Sequence, residues 1–353
     1  MPPVLHFAIP GDLQALTGGY AWDRRIIAEL QALGLRVQVL PLSPRFPDPD
    51  AAALEDARQQ IAALPDGAVL LADGLAWGVL DTLAEEHAAR LRIIALCHHP
   101  LGLESGLTPE RAAALLRSET RVLQAAAAVV VTSPATAATL VQDFGVPRER
   151  ISVALPGTDP VPPASCTGEP PLLLSLATLT RRKAHDVLIA ALAQVRDLPW
   201  RARFVGGTHF DPAWVELLRA QVNSAGLAER IAFVGSTATP ALEYRQADLF
   251  VLPSRYEGYG MVFAEALAHG LPVIAARAGA VPEVVPPDAG LLVPVDDANA
   301  LAAALRRVLS EPTTRAALRA GALRAAASLP RWQDSARGLY NLIAHLTEKK
   351  NAR

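Results

Sequence analysis

Apolar residues occur in short unbroken runs along this chain. Between the runs lie longer stretches that mix alanine and leucine with charged residues. Runs of the first kind cover residues 4–9, 36–40, 68–72, 91–97, 127–131 and 151–154, then 172–177, 203–206, 231–234, 249–252 and 273–275, with Leu291, Leu292 and Val293 after them. Such runs, bounded by turn formers, predict strands buried on both faces. Residues 21–33, 51–64, 78–89, 108–126 and a stretch ending near 144 predict helices, as do 212–225, 261–269, 299–309, 313–328 and 332–346. Gly34 reads as a helix stop, and Thr132, Ser133 and Pro134 as a helix start. Strand, glycine loop, helix, strand is the opening of a doubly wound α/β domain. The proline-rich segment 156–163 carries no period and reads as a linker.

Composition narrows the class. A chain of 353 residues, 51% hydrophobic, is long enough for two cores. A net charge of −2 leaves no basic field for nucleic acid. Cys97 and Cys166 match no paired motif and read as free thiols of a reducing compartment. No leader pattern opens the chain and no apolar run is long enough to span a bilayer, so a cytoplasmic protein is expected; peripheral membrane contact stays open. Nearly all the positive charge is arginine. Lysine occurs only at Lys183 and in the tail, at Lys349 and Lys350, which suggests that a compact ammonium is wanted at 183.

The chemistry concentrates in 249–265. The strand 249–252 leads through Pro253 and Ser254 to a loop holding Glu257, then to Gly258, Tyr259 and Gly260, and a helix begins near Met261. A glycine turn feeding a helix aims backbone N–H groups at whatever lies in front of it, which suits phosphate. Glu257 lies in the loop and Glu265 about one turn inside the helix. A carboxylate accepts from a vicinal diol, so two of them flanking a phosphate cradle suit a nucleotide sugar. The same glycines, with Ala264 and Glu283, loosely match a dinucleotide fingerprint, but five residues separate the strand from the first glycine, where that fingerprint has almost none. A plain strand–loop–helix with solvated glutamates is the bland alternative.

Glu257 and Glu265 with seven residues between them, and Gly258, Tyr259, Gly260, Met261 and Val262 following the first, resemble the signature of retaining nucleotide-sugar glycosyltransferases of family four. Gly270, Leu271, Pro272 and Val273, then Gly279 to Glu283, continue the likeness, which is looser in the amino-terminal half. The resemblance implies the GT-B architecture: two facing Rossmann-like domains with a cleft between them, an acceptor domain over residues 1–160, a donor domain over 161–330 and a helix over 331–353 that crosses back. It implies a hexose moved from a nucleotide-diphosphate sugar, UDP favoured and GDP next, to an acceptor hydroxyl with retention, and no cofactor or metal. The acceptor could be a small molecule, a glycan or a lipid head group. A GT-B sugar-nucleotide epimerase and a non-catalytic sensor are the alternatives.

Residue by residue, the resemblance puts Glu265 on the ribose, the amides of residues 258–262 and Lys183 on the phosphates, and Glu257 on the sugar hydroxyls. Lys183 keeps the family's lysine, but Ala177, Thr178 and Ala184 stand where that pattern has Gly, Arg and Gly; Arg181 or Arg182 could supply the second cation, with Arg182 preferred. Gly235 would lie where the base docks. Gly18 and Gly19 would let backbone approach the phosphates or the reacting sugar. His98 matches a histidine that faces the donor sugar, with His99 as fallback. A metal at the histidine pair would need two or three more ligands, and nothing obvious in the sequence supplies them. Asp48-Pro49-Asp50 looks like an acidic metal motif but sits among prolines before a helix, where a turn or cap is the better reading.

Overall fold

The structure, a computed structural model, describes residues 4–348; Lys349 and Lys350 lie outside them. The described residues form two compact units, one of residues 4–157 with 330–348 and one of residues 158–329.

The first unit runs β1 (Val4–Pro10), α1 (Gly18–Ala32), β2 (Arg36–Leu42), α2 (Ala51–Ala62), β3 (Val69–Asp73), α3 (Gly74–Trp77), α4 (Asp81–His87), β4 (Arg92–Cys97), α5 (Pro109–Ala125), β5 (Ala128–Val131), α6 (Pro134–Phe144) and β6 (Ile151–Val153). Its six strands are all parallel in the order β2-β1-β3-β4-β5-β6. The order reverses between β1 and β3. The strand patterns explain the burial: every residue of β3 and β5 is buried, as unbroken Val/Leu/Ala runs require when helices cover both faces. Trp77, Leu83, Val122, Leu140 and Phe144 fill one side of the sheet.

The second unit runs β7 (Leu172–Leu176), α7 (His185–Gln194), β8 (Arg201–Val205), α8 (Pro212–Ser224), β9 (Ile231–Gly235), α9 (Pro240–Gln246), β10 (Leu249–Leu252), α10 (Met261–Ala268), β11 (Val273–Ala276), α11 (Val281–Val284), β12 (Gly290–Val293), α12 (Ala298–Ser310) and α13 (Pro312–Ala326). The sheet is again parallel, in the order β12-β11-β10-β7-β8-β9, and reverses between β7 and β10. Leu188, Leu192, Phe204, Leu218, Leu301 and Leu305 pack its core.

The last helix, α14 (Trp332–Glu348), belongs to the first unit and packs on α1. Arg25 lies 5.1 Å over the Trp332 ring, and the Ser335 hydroxyl donates to the Leu155 carbonyl. Among the described residues no helix is long and apolar enough to cross a membrane.

Helix starts follow the expected chemistry. Asp50 caps α2 by accepting from the Ala53 N–H at 2.9 Å, so the acidic triplet at 48–50 is a cap, as read. Ser133 caps α6 in the same way. Three differences matter. Gly18 and Gly19 form the first turn of α1, which starts at 18 and not at 21; the β-extended Thr17 admits them to the helix. The stretch 78–89 is a helix only from Asp81, with α3 formed ahead of it because Asp73 accepts from the Leu75 N–H. Helix α9 went unread because its one buried residue, Tyr244, leaves no apolar stripe to detect.

Candidate functional site

Open parallel sheets bind ligands at the carboxyl ends of the strands where the strand order reverses. Each unit places sequence-predicted residues there, and the two sets differ in how their charge is held.

In the second unit the reversal lies between β7 and β10. The chain leaving β7 makes a single 3-10 turn, Arg181–Lys183, and reaches α7 through Ala184 at φ +53°. The left-handed conformation is what a glycine favours, so the family pattern's glycine is replaced by a residue strained into the same turn. The chain leaving β10 carries Ser254 and Glu257. Glu257 is 5% exposed. Its Oε1 accepts from Lys183 Nζ at 2.6 Å and from the Ser254 hydroxyl at 2.6 Å, while Arg182 Nη1 stands 3.5 Å from Oε2. Burial works against the carboxylate, but Lys183 and Arg182 outweigh it, and the pKa of Glu257 falls below its ordinary value.

Arg181 is placed elsewhere, over the Trp214 ring at 4.5 Å and 3.4 Å from Asp211. Of the two arginines, Arg182 therefore joins Lys183. Arg255 ties the two loops together: its N–H donates to the Arg182 carbonyl at 2.7 Å and its guanidinium to Asp186 at 2.7 Å and Asp296 at 2.8 Å. Behind them His185 is kept neutral, its pKa pushed down to about 3 by burial and then by Lys183.

Helix α10 begins after Gly260, which sits at φ +90° and caps it, so Met261 and Val262 form its first turn. Gly279 lies so close to this loop that a Cβ there would come within 2.2 Å of the Glu257 carbonyl oxygen. The loop is thus packed from behind by a position only glycine can fill. Tyr259 is buried beside it. Glu265 lies one turn into α10 and accepts from the Tyr244 hydroxyl at 2.8 Å. Burial pushes its carboxyl up to about 7, with the Tyr244 hydrogen bond acting against the shift. Tyr244 stacks on His269 at 5.0 Å. Sequence reasoning missed Tyr244; its only signal was a lone aromatic in a polar stretch. Gly235 closes β9, three strands along the sheet from β10 with β7 and β8 between.

In the first unit the reversal lies between β1 and β3. Asp73 ends β3, His98 follows β4, and Asp23 sits in the second turn of α1. His98 Nε2 stands 3.5 Å from Asp23 Oδ1 and 3.7 Å from Asp73 Oδ2. Asp23 is 0% exposed and the His98 side chain 23%. A Cβ on Gly19 would lie 3.7 Å from the His98 ring, so the glycine turn packs directly against it. Trp22 meets the ring edge-on at 5.2 Å. His99 turns instead toward Glu104, 3.7 Å away.

Burial pushes both aspartic acids up, Asp73 to about 7. Burial opposes an imidazolium at His98, yet the two aspartates outweigh it and its pKa is raised. Beneath the loop, Glu119 of α5 accepts from the Leu101 and Gly102 N–H groups at 2.7 and 2.9 Å. It anchors the turn that follows the histidines. The sequence offered no further ligands for the histidine pair; the fold supplies them, bringing Asp23 and Asp73 from 75 and 25 positions upstream of His98. These three side chains place one donor atom each within 4.8 Å of one another.

Comparison with known proteins fits both halves. Residues 170–311 match the family model for glycosyl transferases group 1, and residues 12–157 match that for the glycosyl transferase 4-like domain. A D-inositol 3-phosphate glycosyltransferase from Xylanimonas cellulosilytica is 33% identical over 71% of this chain and 64% of its own length. The chain aligns with 37% to 64% of the length of the first curated relatives it matches. Among solved structures, sucrose-phosphate synthase from Thermosynechococcus elongatus superposes with a TM-score of 0.83 at 24% identity, covering 99% of this chain and 100% of that one. Anabaena HepE in complex with UDP-glucose gives 0.77 at 20% identity, over 99% and 100%. Two parallel six-stranded units, the signature around α10 and the two family matches lead to one conclusion: the chain belongs to the glycosyl transferases group 1 family and has the GT-B fold.

Proposed function

We propose that this protein is a retaining glycosyltransferase that moves a hexose from a nucleotide-diphosphate sugar to an acceptor hydroxyl. The observation that carries the reading is the constellation at the β7/β10 reversal. There a lysine and an arginine converge on one buried glutamate directly ahead of the first turn of α10, with a second glutamate one turn further on. Lys183, Arg182 and the first amides of α10 offer positive potential to a diphosphate, and Glu257 and Glu265 offer acceptors to the hydroxyls on either side of it. A diphosphate leaving group gathers charge as the glycosidic bond breaks, and Lys183 meets that charge without a metal ion. The reading assigns Gly235 to the base, and His98 with the Gly18–Gly19 turn to the transferring sugar and its acceptor.

Retention is reached here by a same-face path. The acceptor hydroxyl attacks the anomeric carbon from the side the diphosphate leaves, and the departing phosphate oxygen takes its proton. Glu257 is held by Lys183 and Ser254 rather than standing free as a nucleophile, which supports this path over a double displacement. UDP is the favoured base, as HepE was solved with UDP-glucose. The nucleotide sugar is the only small molecule the reading requires besides the acceptor.

Incubation with radiolabelled UDP-glucose and GDP-mannose tests it. Slow release of free nucleotide with label lost from the donor supports transfer. An altered sugar still attached to nucleotide, or binding with no chemistry, overturns it.

A further inference from the structure

We propose that Arg255 is the positioning residue of the phosphate-binding cations: it fixes the 3-10 turn 181–183 so that Lys183 and Arg182 face Glu257. The inference rests on the reading above, in which these two cations meet the diphosphate.

The need for such a residue lies in the sequence. Where the family pattern has an arginine this chain has Thr178, so both cations ride on one turn of three residues. A 3-10 turn has poor hydrogen-bond geometry and holds its own shape weakly. This one runs into Ala184, whose left-handed backbone at φ +53° is unfavourable for a residue with a Cβ. A turn of this kind has to be held from outside, and a small displacement of it would carry both cations away together.

The contacts that hold it converge on Arg255. Its backbone N–H donates to the Arg182 carbonyl at 2.7 Å, and its Nη1 donates to the Arg181 carbonyl. One residue therefore grips two successive carbonyls of the turn. The same guanidinium forks onto Asp186, in the first turn of α7, at 2.7 and 3.2 Å, and its Nε donates to Asp296 at 2.8 Å. Asp296 follows β12 and is itself left-handed, at φ +58°. One planar group thus ties the segments that leave β7, β10 and β12. Two carboxylates match its charge, so Arg255 acts on a phosphate through the turn and not as a third cation. A lysine at 255 would keep the charge and lose the fork, because an ammonium has no fixed planar set of donors.

Calorimetry on the full-length protein tests this with UDP against UMP and GDP against GMP, for the wild type, Arg255→Lys, Asp296→Asn and Lys183→Ala. Arg255→Lys should lower the ratio of diphosphate to monophosphate affinity about tenfold, the scale of a lost charge-assisted fork. Asp296→Asn tolerates the left-handed backbone and weakens only one arm, so it should lower the ratio about threefold. A residue that merely packed the loops would lower both affinities alike and leave the ratio where it was. An unchanged ratio in Arg255→Lys, with a lowered one in Lys183→Ala, overturns this inference and leaves the transferase reading standing. An unchanged ratio in Lys183→Ala, or a wild type that binds neither diphosphate, overturns the reading and this inference with it. Should Arg255→Lys fail to fold, Asp296→Asn decides alone, and an unchanged ratio there overturns the inference.

Discussion

At the β7/β10 reversal the chain buries one carboxylate and surrounds it with an ammonium, a guanidinium and a hydroxyl. At the β1/β3 reversal it buries two carboxylates and brings to them only a partly exposed histidine. The two sheets share a topology, and both put these groups at the same kind of edge. The local charge state nevertheless comes out opposite: Glu257 has its pKa lowered, whereas Asp23 and Asp73 have theirs raised. Topology decides where chemistry collects. The side chains on the adjoining loops decide whether the protein balances that chemistry itself or leaves it to a ligand. A site that carries its own cations is ready for a dianionic diphosphate, whereas the first-unit site holds its charge between two acids and one histidine.

The largest effect separating the two sites should come from Lys183→Ala. With its ammonium gone, Glu257 stays buried with only Arg182 at 3.5 Å and the Ser254 hydroxyl beside it, and breaking such a pair costs about 3 kcal/mol of stability. Loss of the charge facing the diphosphate lowers turnover by about 10³-fold. Urea denaturation and donor hydrolysis read the two effects. The double variant Lys183→Ala with Glu257→Gln should recover most of the stability and none of the activity, since the stranded charge is then removed. A Lys183→Ala protein as stable as the wild type would show that Glu257 does not depend on its lysine, and the contrast between the sites would fail.

The mirror-image change should have the opposite sign. At pH 8, Asp23→Asn removes one of two neighbouring buried carboxylates that His98 alone faces, at 3.5 and 3.7 Å, and supplies an amide that can donate to Asp73. Stability should rise by about 1 kcal/mol or more, where the equivalent surgery at the other site lowers it. Thermal melts measure this. Destabilisation by Asp23→Asn would mean that the carboxylate is already balanced within the unit.

The next effect is the pH dependence that Glu265 gives the second unit. Glu265 has a folded-state pKa of about 7 against an ordinary value of 4.5. Between those values the folded chain holds more protons than the unfolded one, so its contribution to stability falls as pH rises and levels off above about 7. Nucleotide affinity should move the other way, because ribose hydroxyls donate to the ionised form. At pH 6 only about a tenth of Glu265 is ionised, so the Kd for UDP should be about tenfold weaker than at pH 8. Calorimetry at both pH values measures it, and Glu265→Gln should flatten the profile. An unchanged slope in that variant would remove Glu265 from the ribose.

Much of this is legible in the amino-acid sequence. The strand runs 68–72 and 249–252 are continuous because both faces are covered, and that continuity is itself the signal. Glu257, Lys183 and Glu265 stand out because a loop, a helix start and a rare lysine coincide. What was hidden are the pairings that only topology makes. Asp23 is an isolated acid in an amphipathic helix and Asp73 an isolated acid at a strand end; nothing in their spacing from His98 tells that β1, β3 and β4 lie side by side. Tyr244 was hidden for a different reason. Its helix is too short and polar to show a period, and its partner lies 21 residues on.

That partner gives the smallest and sharpest test. The Tyr244 hydroxyl donates to one oxygen of Glu265, so Tyr244→Phe removes a single hydrogen bond from a buried carboxylate and keeps the ring packed against Phe250 and His269. Such a bond is worth about 1 kcal/mol, or a fivefold loss of UDP affinity. Two readings of that loss can be told apart. If the tyrosine acts through Glu265, the variant's carboxyl becomes harder to ionise, the pH profile of binding shifts upward, and 2′-deoxy-UDP loses less than UDP because it already lacks one hydroxyl for the carboxylate to accept. If the tyrosine only packs the loop, both ligands lose equally and the profile stays where it was. The double variant with Glu265→Gln completes the cycle: a coupling near zero would assign Tyr244 to packing alone, and a coupling close to the single-variant loss would make it the residue that aims the ribose acceptor.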